Sequence, residues 1–201
     1  MKPGVRAIGV AESYRSEDST LAAAVVRANR VVDGLAFDTC TVGGTDATET
    51  VVSLVDRLDR EDARYLLLAG VAPAWFNLFD LPEIRERVDR PVLSVAFEDS
   101  DGLEGPLREA FDGDALDDRL AVYRRQPERR PVELDDGTVY VRAAGLDPDE
   151  AAAVVRGFTP EGGRPEPLRV ARLAARAADR RFVGGEGGGD GDGGAGDDAD
   201  R

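Results

Sequence analysis

A chain of 201 residues without histidine has no imidazole to activate a serine or cysteine nucleophile and no His nitrogen for zinc. Any catalysis falls to carboxylates, Arg, Tyr, Lys2 or a bound metal. The carboxylates that stand out are Glu12, at the end of a first apolar run, and Asp46, just after Gly43-Gly44 where a helix begins. Each also has a plain structural reading: Asp46 as a helix N-cap worth about 1 kcal/mol, and Glu12 as a solvated residue at a strand end. Trp75, Phe76 and Asn77 lie in a loop behind a buried apolar run. An aromatic there can stack on an extruded base while an amide reads its edge, with ordinary loop packing as the alternative. Glu166 and Arg169 share the first turn of the last helix, where a Glu complements the helix dipole. They form either an i, i+3 ion pair or, with Arg169 turned outward, a contact to phosphate. Arg119, Arg124, Arg125, Arg129 and Arg130 make a basic stretch that reads as a nucleic-acid patch or as a solvated Arg-rich strand and loop.

The elements that must position these residues follow from the hydrophobic pattern. Apolar runs at 5–10, 21–26 and 31–42 predict three strands, the second and third forming a hairpin that turns near Asn29. Val51, Val52, Leu54, Val55 and Leu58 fall at helical spacing behind Thr45 or Asp46. The continuous run 65–71 suits a buried parallel strand. A helix at 81–88, a strand at 92–97 and a helix at 103–111 follow, then a strand near 120–123, a hairpin through Asp136-Gly137, a helix at 149–156 and a last helix after Pro165. Three antiparallel strands and then αβαβ is the order of an RNase H-like mixed sheet flanked by helices. Ferredoxin-like and generic doubly wound sheets remain alternatives.

The length suits one core, assigned to residues 1–183. Residues 184–201 are almost wholly Gly, Asp and Ala and are expected to be disordered. The formal net charge is −14, and Lys2 is the only lysine. Excess carboxylate with Arg in place of Lys suits a protein kept soluble at high salt, so a halophilic cytoplasm is the expected setting. For the same reason the global charge does not count against nucleic acid, and only a local basic patch bears on that partner. Cys40 is the only cysteine, which excludes an intrachain disulfide. No run reaches the roughly 20 apolar residues of a membrane span.

Several stretches carry a family resemblance in their order and spacing. They are Arg6-Ala7-Ile8-Gly9-Val10-Ala11-Glu12, Val32-Asp33-Gly34, Gly44-Thr45-Asp46-Ala47-Thr48, Leu68-Ala69-Gly70-Val71, Phe76-Asn77-Leu78-Phe79-Asp80, Ala144-Gly145-Leu146 and Pro165-Glu166-Pro167-Leu168-Arg169. Over about residues 2–178 the chain resembles the archaeal endonuclease dU family, related to endonuclease V. The resemblance implies an RNase H-like core, DNA as partner, and cleavage at deoxyuridine with Mg²⁺ or Mn²⁺ held by clustered carboxylates. Carried onto this chain, it makes Glu12 and Asp46 the catalytic and metal-binding residues, with Glu49 a possible addition. Trp75, Phe76, Asn77, Glu166 and Arg169 become the substrate contacts. Three positions depart from the family pattern: its leading strand-end Asp is Ala11, its Asp-Gly is Ala69-Gly70, and its Ala-His is Ala171-Arg172. Three readings stay open: an endonuclease running on Glu12 and Asp46, a non-catalytic nucleic-acid-binding homologue, and an interaction protein that uses the same scaffold without a nucleic-acid role.

Overall fold

The fold is a seven-stranded mixed sheet in the order β3-β2-β1-β4-β5-β7-β6, described for residues 1–14 and 17–183 in a computed structural model. The first three strands, β1 (Arg6–Tyr14), β2 (Asp18–Arg27) and β3 (Val32–Thr41), form an antiparallel meander. Helix α1 (Ala47–Leu58) then crosses to β4 (Ala63–Ala69), which pairs parallel with β1. The short turn α2 (Pro73–Phe76) and helix α3 (Leu81–Val88) lead to β5 (Val92–Ala96), parallel to β4. Helices α4 (Glu104–Ala110) and α5 (Gly113–Arg124) precede the hairpin β6 (Arg130–Leu134) and β7 (Gly137–Ala144), which adds antiparallel to β5. Helices α6 (Pro148–Gly157) and α7 (Glu166–Val183) close the chain. The expected tail at 184–201 lies outside the described residues. Among the described residues no helix is long and apolar enough to cross a membrane.

Both faces of the sheet are covered, and the sequence of β2 shows why. Leu21, Ala22, Ala23, Ala24, Val25 and Val26 are all fully buried, so this strand is an apolar run rather than an alternating one. One face, with Ile8, Val10, Leu21, Ala23 and Val25, packs on α1 and α3 through Val51, Leu54, Val55 and Ile84. The other carries Ala24 and Val26, which meet Ala171 of α7. Small residues let α7 come close. A Cβ added at Gly9 would lie 2.3 Å from the carbonyl carbon of Pro167, nearer than any real contact, so the helix start seats directly on the strand backbone.

The structure corrects one expectation and decides between two readings of another stretch. Residues 120–123 belong to helix α5 and not to a strand. Leu116, Leu120 and Tyr123 recur at i, i+4 and i+7, and that face packs with Leu78 and Leu107 in a small cluster of its own. The short Leu-Ala-Val-Tyr run imitates a strand only when read without Leu116. The basic stretch also dissolves. Arg124 pairs with Glu104, Arg125 with Asp80, Arg129 with Asp99 and Arg130 with Glu128. Arg119 turns inward, donating from Nη2 to the carbonyls of Gly43 (2.5 Å) and Gly44 (3.2 Å) while its guanidinium covers Phe111 at 4.0 Å. Four of these charges are neutralised and the fifth ties α5 to the loop before α1.

Asp33, from the Val-Asp-Gly stretch, is an ion-pair hub at the far end of the meander. Its carboxylate accepts from Arg27 and Arg6, each at 2.6 Å. The hydrogen bonds from Arg27, then Arg6, hold its pKa down to about 2. A depressed carboxylate contributes stability that is complete above its unfolded value of about 3.9 and is lost as pH falls toward the folded value. The stability difference between the parent and Asp33→Asn, measured by urea unfolding, is therefore expected to shrink as pH falls from about 5 to about 2. A difference constant with pH contradicts the assignment.

Candidate functional site

The parallel strands β1 and β4 end side by side, and beyond them the turn 73–77 links the two carboxylates singled out in the sequence. Glu12 Oε2 accepts from the Ala74 backbone N–H at 2.6 Å and from Ser19 Oγ at 2.8 Å. At the other end of the turn, Asn77 Nδ2 donates to Asp46 Oδ1 at 2.5 Å and to the Thr41 carbonyl at 2.8 Å. Asn77 Oδ1 in turn accepts from the Ala47 N–H at 2.9 Å. The first free N–H of α1 is thus capped by Asn77, thirty residues away in the chain. Asp46 stands at the N-cap position but makes no side-chain cap bond. Its oxygens take the Thr41 N–H (3.1 Å to each) and the Thr41 hydroxyl (3.0 Å). Burial pushes the Asp46 carboxyl up, but the hydrogen bonds from Asn77 and Thr41 outweigh it and hold it below the usual carboxylate range.

The turn is strained and over-determined. Ala74, Trp75 and Phe76 have φ of 45°, 52° and 63°, in the left-handed region that costs non-glycine residues of order 1–3 kcal/mol each. Besides Glu12, it is held by the Gly43 N–H donating to the Ala74 carbonyl (2.7 Å) and the Asn77 N–H donating to that of Pro73 (3.0 Å). This geometry pushes Trp75 outward, 51% exposed, with its ring 5.1 Å from Phe111 and 5.8 Å from Phe76. The result is a half-exposed aromatic platform at the strand ends.

Beside the turn, two of the positions that depart from the family pattern, Ala11 and Ala69, come together. Ala11 of β1 packs with Ala24, Val26 and Ala171, and Ala69 of β4 adjoins the same cluster. Ala11 is 4% exposed and Ala171 fully buried. Arg172 follows Ala171 directly and is exposed on α7. A cavity of about 350 Å³ opens at Gly70 past the end of β4, lined in part by Ser94, Tyr123, Arg129, Tyr140 and Arg142.

The donor set does not fit the Mg²⁺ or Mn²⁺ that the resemblance implies. These ions ask for several convergent oxygen ligands. Ala11 and Ala69 supply none, and Glu12 and Asp46 already accept the hydrogen bonds of the turn and of Thr41. Glu49 faces Arg87 of α3, which it grips at 2.6 and 3.0 Å. Among the described residues no group of three or more Cys, Asp or Glu side chains is placed to hold a metal ion. Glu12 and Asp46 do share one neighbour: the Cys40 thiol is pushed up to about 12 by burial first and then by the charges of Asp46 and Glu12.

Of the residues the sequence singled out, the structure gathers Glu12, Asp46, Trp75, Phe76 and Asn77 around the turn. It does not bring Glu166 and Arg169 there. Arg169 donates to both oxygens of Glu166 (2.6 and 2.7 Å), and Glu166 also feels the charge of Arg30 in the β2–β3 turn, at the opposite end of the sheet. Sequence reasoning missed Thr41, whose hydroxyl and backbone hold Asp46, and Arg164, whose guanidinium lies 3.6 Å over the Phe97 ring just past β5. Both contacts join residues without helical or strand spacing between them, so no local pattern marks them.

Comparison with known proteins agrees with this architecture. A UPF0215 protein of Pyrobaculum calidifontis is 36% identical over 172 residues, covering 84% of this chain and 93% of its own. A solved protein of unknown function from Archaeoglobus fulgidus superposes with a TM-score of 0.77 at 25% identity, covering 87% of this chain and 98% of that one. Endonuclease V of Ciona intestinalis, solved with an inosine-containing DNA, superposes at 0.62 with 12% identity, covering 89% and 87%, a likeness of fold that marks the sheet as RNase H-like. The family model of endonuclease dU matches residues 3–179. The chain belongs to the endonuclease dU family.

Proposed function

We propose that this chain binds deoxyuridine-containing DNA at the ends of β1 and β4 as a nuclease-family protein whose metal-dependent cut has been lost. The observation that carries the reading is the meeting of Ala11 and Ala69, packed with Ala171, at the two strand ends where the family pattern would place carboxylate ligands. Methyl groups cannot lower the pKa of a water or neutralise a scissile phosphate. What remains suits binding. Trp75 offers an aromatic face to a base, and the cavity at Gly70 offers polar edges from Ser94, Tyr123 and Arg142.

A second reading, cleavage through a single ion shared by Glu12 and Asp46, draws on the one turn that both carboxylates contact, Glu12 at the Ala74 N–H and Asp46 at the Asn77 amide. The two part on Asp46→Ala, which removes any cutting under the second reading and has none to remove under the first.

For the binding itself, a fluorescent deoxyuridine oligonucleotide titrated in EDTA is expected to bind the parent, and Trp75→Ala to weaken it by about 1–3 kcal/mol, the usual value of one base–aromatic stack. Unchanged affinity in Trp75→Ala would remove the platform from the account.

A further inference from the structure

Resting on the nucleic-acid reading, we infer that Arg164, Arg172 and Arg176 form a phosphodiester-binding cluster at the rim of the alanine patch, gripping the DNA backbone without metal. Among the described residues many exposed arginines lie against a carboxylate, as Arg57 with Asp38, Arg87 with Glu49 and Arg124 with Glu104 show. The chain holds 40 acidic residues against 26 basic ones, so carboxylates are plentiful as partners. None of these three is ion-paired to a carboxylate among the described residues.

Their placement is specific. Arg164 stacks on Phe97, one residue beyond β5, and its Nη1 is buried without any hydrogen-bond partner. An orphaned, buried guanidinium nitrogen is a cost that a bound oxygen would remove. The Arg164 pKa is lowered by burial first and then by the positive charges of Arg172 and Arg176, so the three cations lie within electrostatic reach of one another. Arg172 follows Ala171, which is itself packed on Ala11, and Arg176 stands one helical turn further along α7. Like charges held close repel, and a phosphate between them relieves that repulsion while accepting from planar N–H forks. The positive charge that metal would bring to a scissile phosphate is here supplied by the protein itself.

The test is binding of a deoxyuridine oligonucleotide to the full chain in EDTA over a KCl series, with Arg172→Gln, Arg176→Gln, Arg164→Gln and Arg164→Lys. Arg108→Gln on α4 serves as a surface-charge control, and inorganic pyrophosphate is titrated in parallel by thermal shift. Each Gln variant is expected to weaken DNA binding about five- to tenfold and to reduce the salt slope by about one, while Arg108→Gln leaves both unchanged. Arg172 and Arg176 are exposed, so their variants fold whether or not Arg164→Gln disturbs the cover on Phe97. DNA binding that is equally tight and equally salt-dependent in the Arg172 and Arg176 variants overturns the cluster and leaves the nucleic-acid reading standing. Arginine-dependent pyrophosphate binding without DNA binding retains the anion site and overturns that reading. Binding of neither overturns both.

Discussion

Replacing Asn77 with alanine is expected to destabilise the chain by about 3–5 kcal/mol, because the side chain is fully buried and every polar atom of it is engaged. The variant orphans the buried Ala47 N–H, at a cost of about 1–3 kcal/mol, and leaves the Thr41 carbonyl with only the Gly44 N–H as donor. It also removes a charge-assisted donor from Asp46, which then keeps only Thr41. Equilibrium unfolding in guanidinium measures the loss. Asn77→Asp, which sets a second carboxylate against Asp46, should be at least as damaging. A loss below about 1 kcal/mol for Asn77→Ala would mean that water or another side chain takes over the cap, and the turn would no longer count as the structural link between α1 and the strand ends.

The second large effect concerns the alanine patch. Ala11→Asp places a carboxylate in a contact set of Ala24, Val26 and Ala171, and an uncompensated buried charge of this kind is expected to cost about 3 kcal/mol. The double variant Ala11→Asp/Ala69→Asp restores oxygen donors at two adjoining strand ends. Mn²⁺ is expected to raise its thermal midpoint and to leave the parent's unmoved, since only ligands that converge gain from the ion. A Mn²⁺-dependent rise in the parent would show that its own carboxylates already converge on a metal, contrary to the positions of Glu12 and Asp46 described above.

Much of the sheet was legible because its strands and helices differ in period. The continuous runs at 21–26 and 65–71 match strands covered on both faces, and the helix expected at 81–88 matches α3. Asp80 does cap that helix, accepting from the Glu83 N–H at 3.3 Å. Asp46 precedes α1 in the same manner, yet its side chain turns to Thr41 and Asn77, and no local pattern separates the two cases. Helix α5 was misread because its apolar face is short and its charges alternate around it. The Arg-rich stretch left two readings open because its pairing with Glu104, Asp80, Asp99 and Glu128 depends on tertiary contacts. The candidate site was legible as residue types but not as an arrangement. That Ala11, Ala69 and Ala171 meet follows only from the pairing of β1 with β4 and the seat of α7 on Gly9.

The most direct test of the central claim is incubation of the purified chain at high salt with deoxyuridine-containing DNA, in Mg²⁺, in Mn²⁺ and in EDTA, with strand cleavage and binding read from the same samples. The account predicts binding under all three conditions and intact DNA throughout. Nicking at deoxyuridine that requires the metal and disappears in Asp46→Ala would contradict it and make this chain an endonuclease working through its remaining carboxylates.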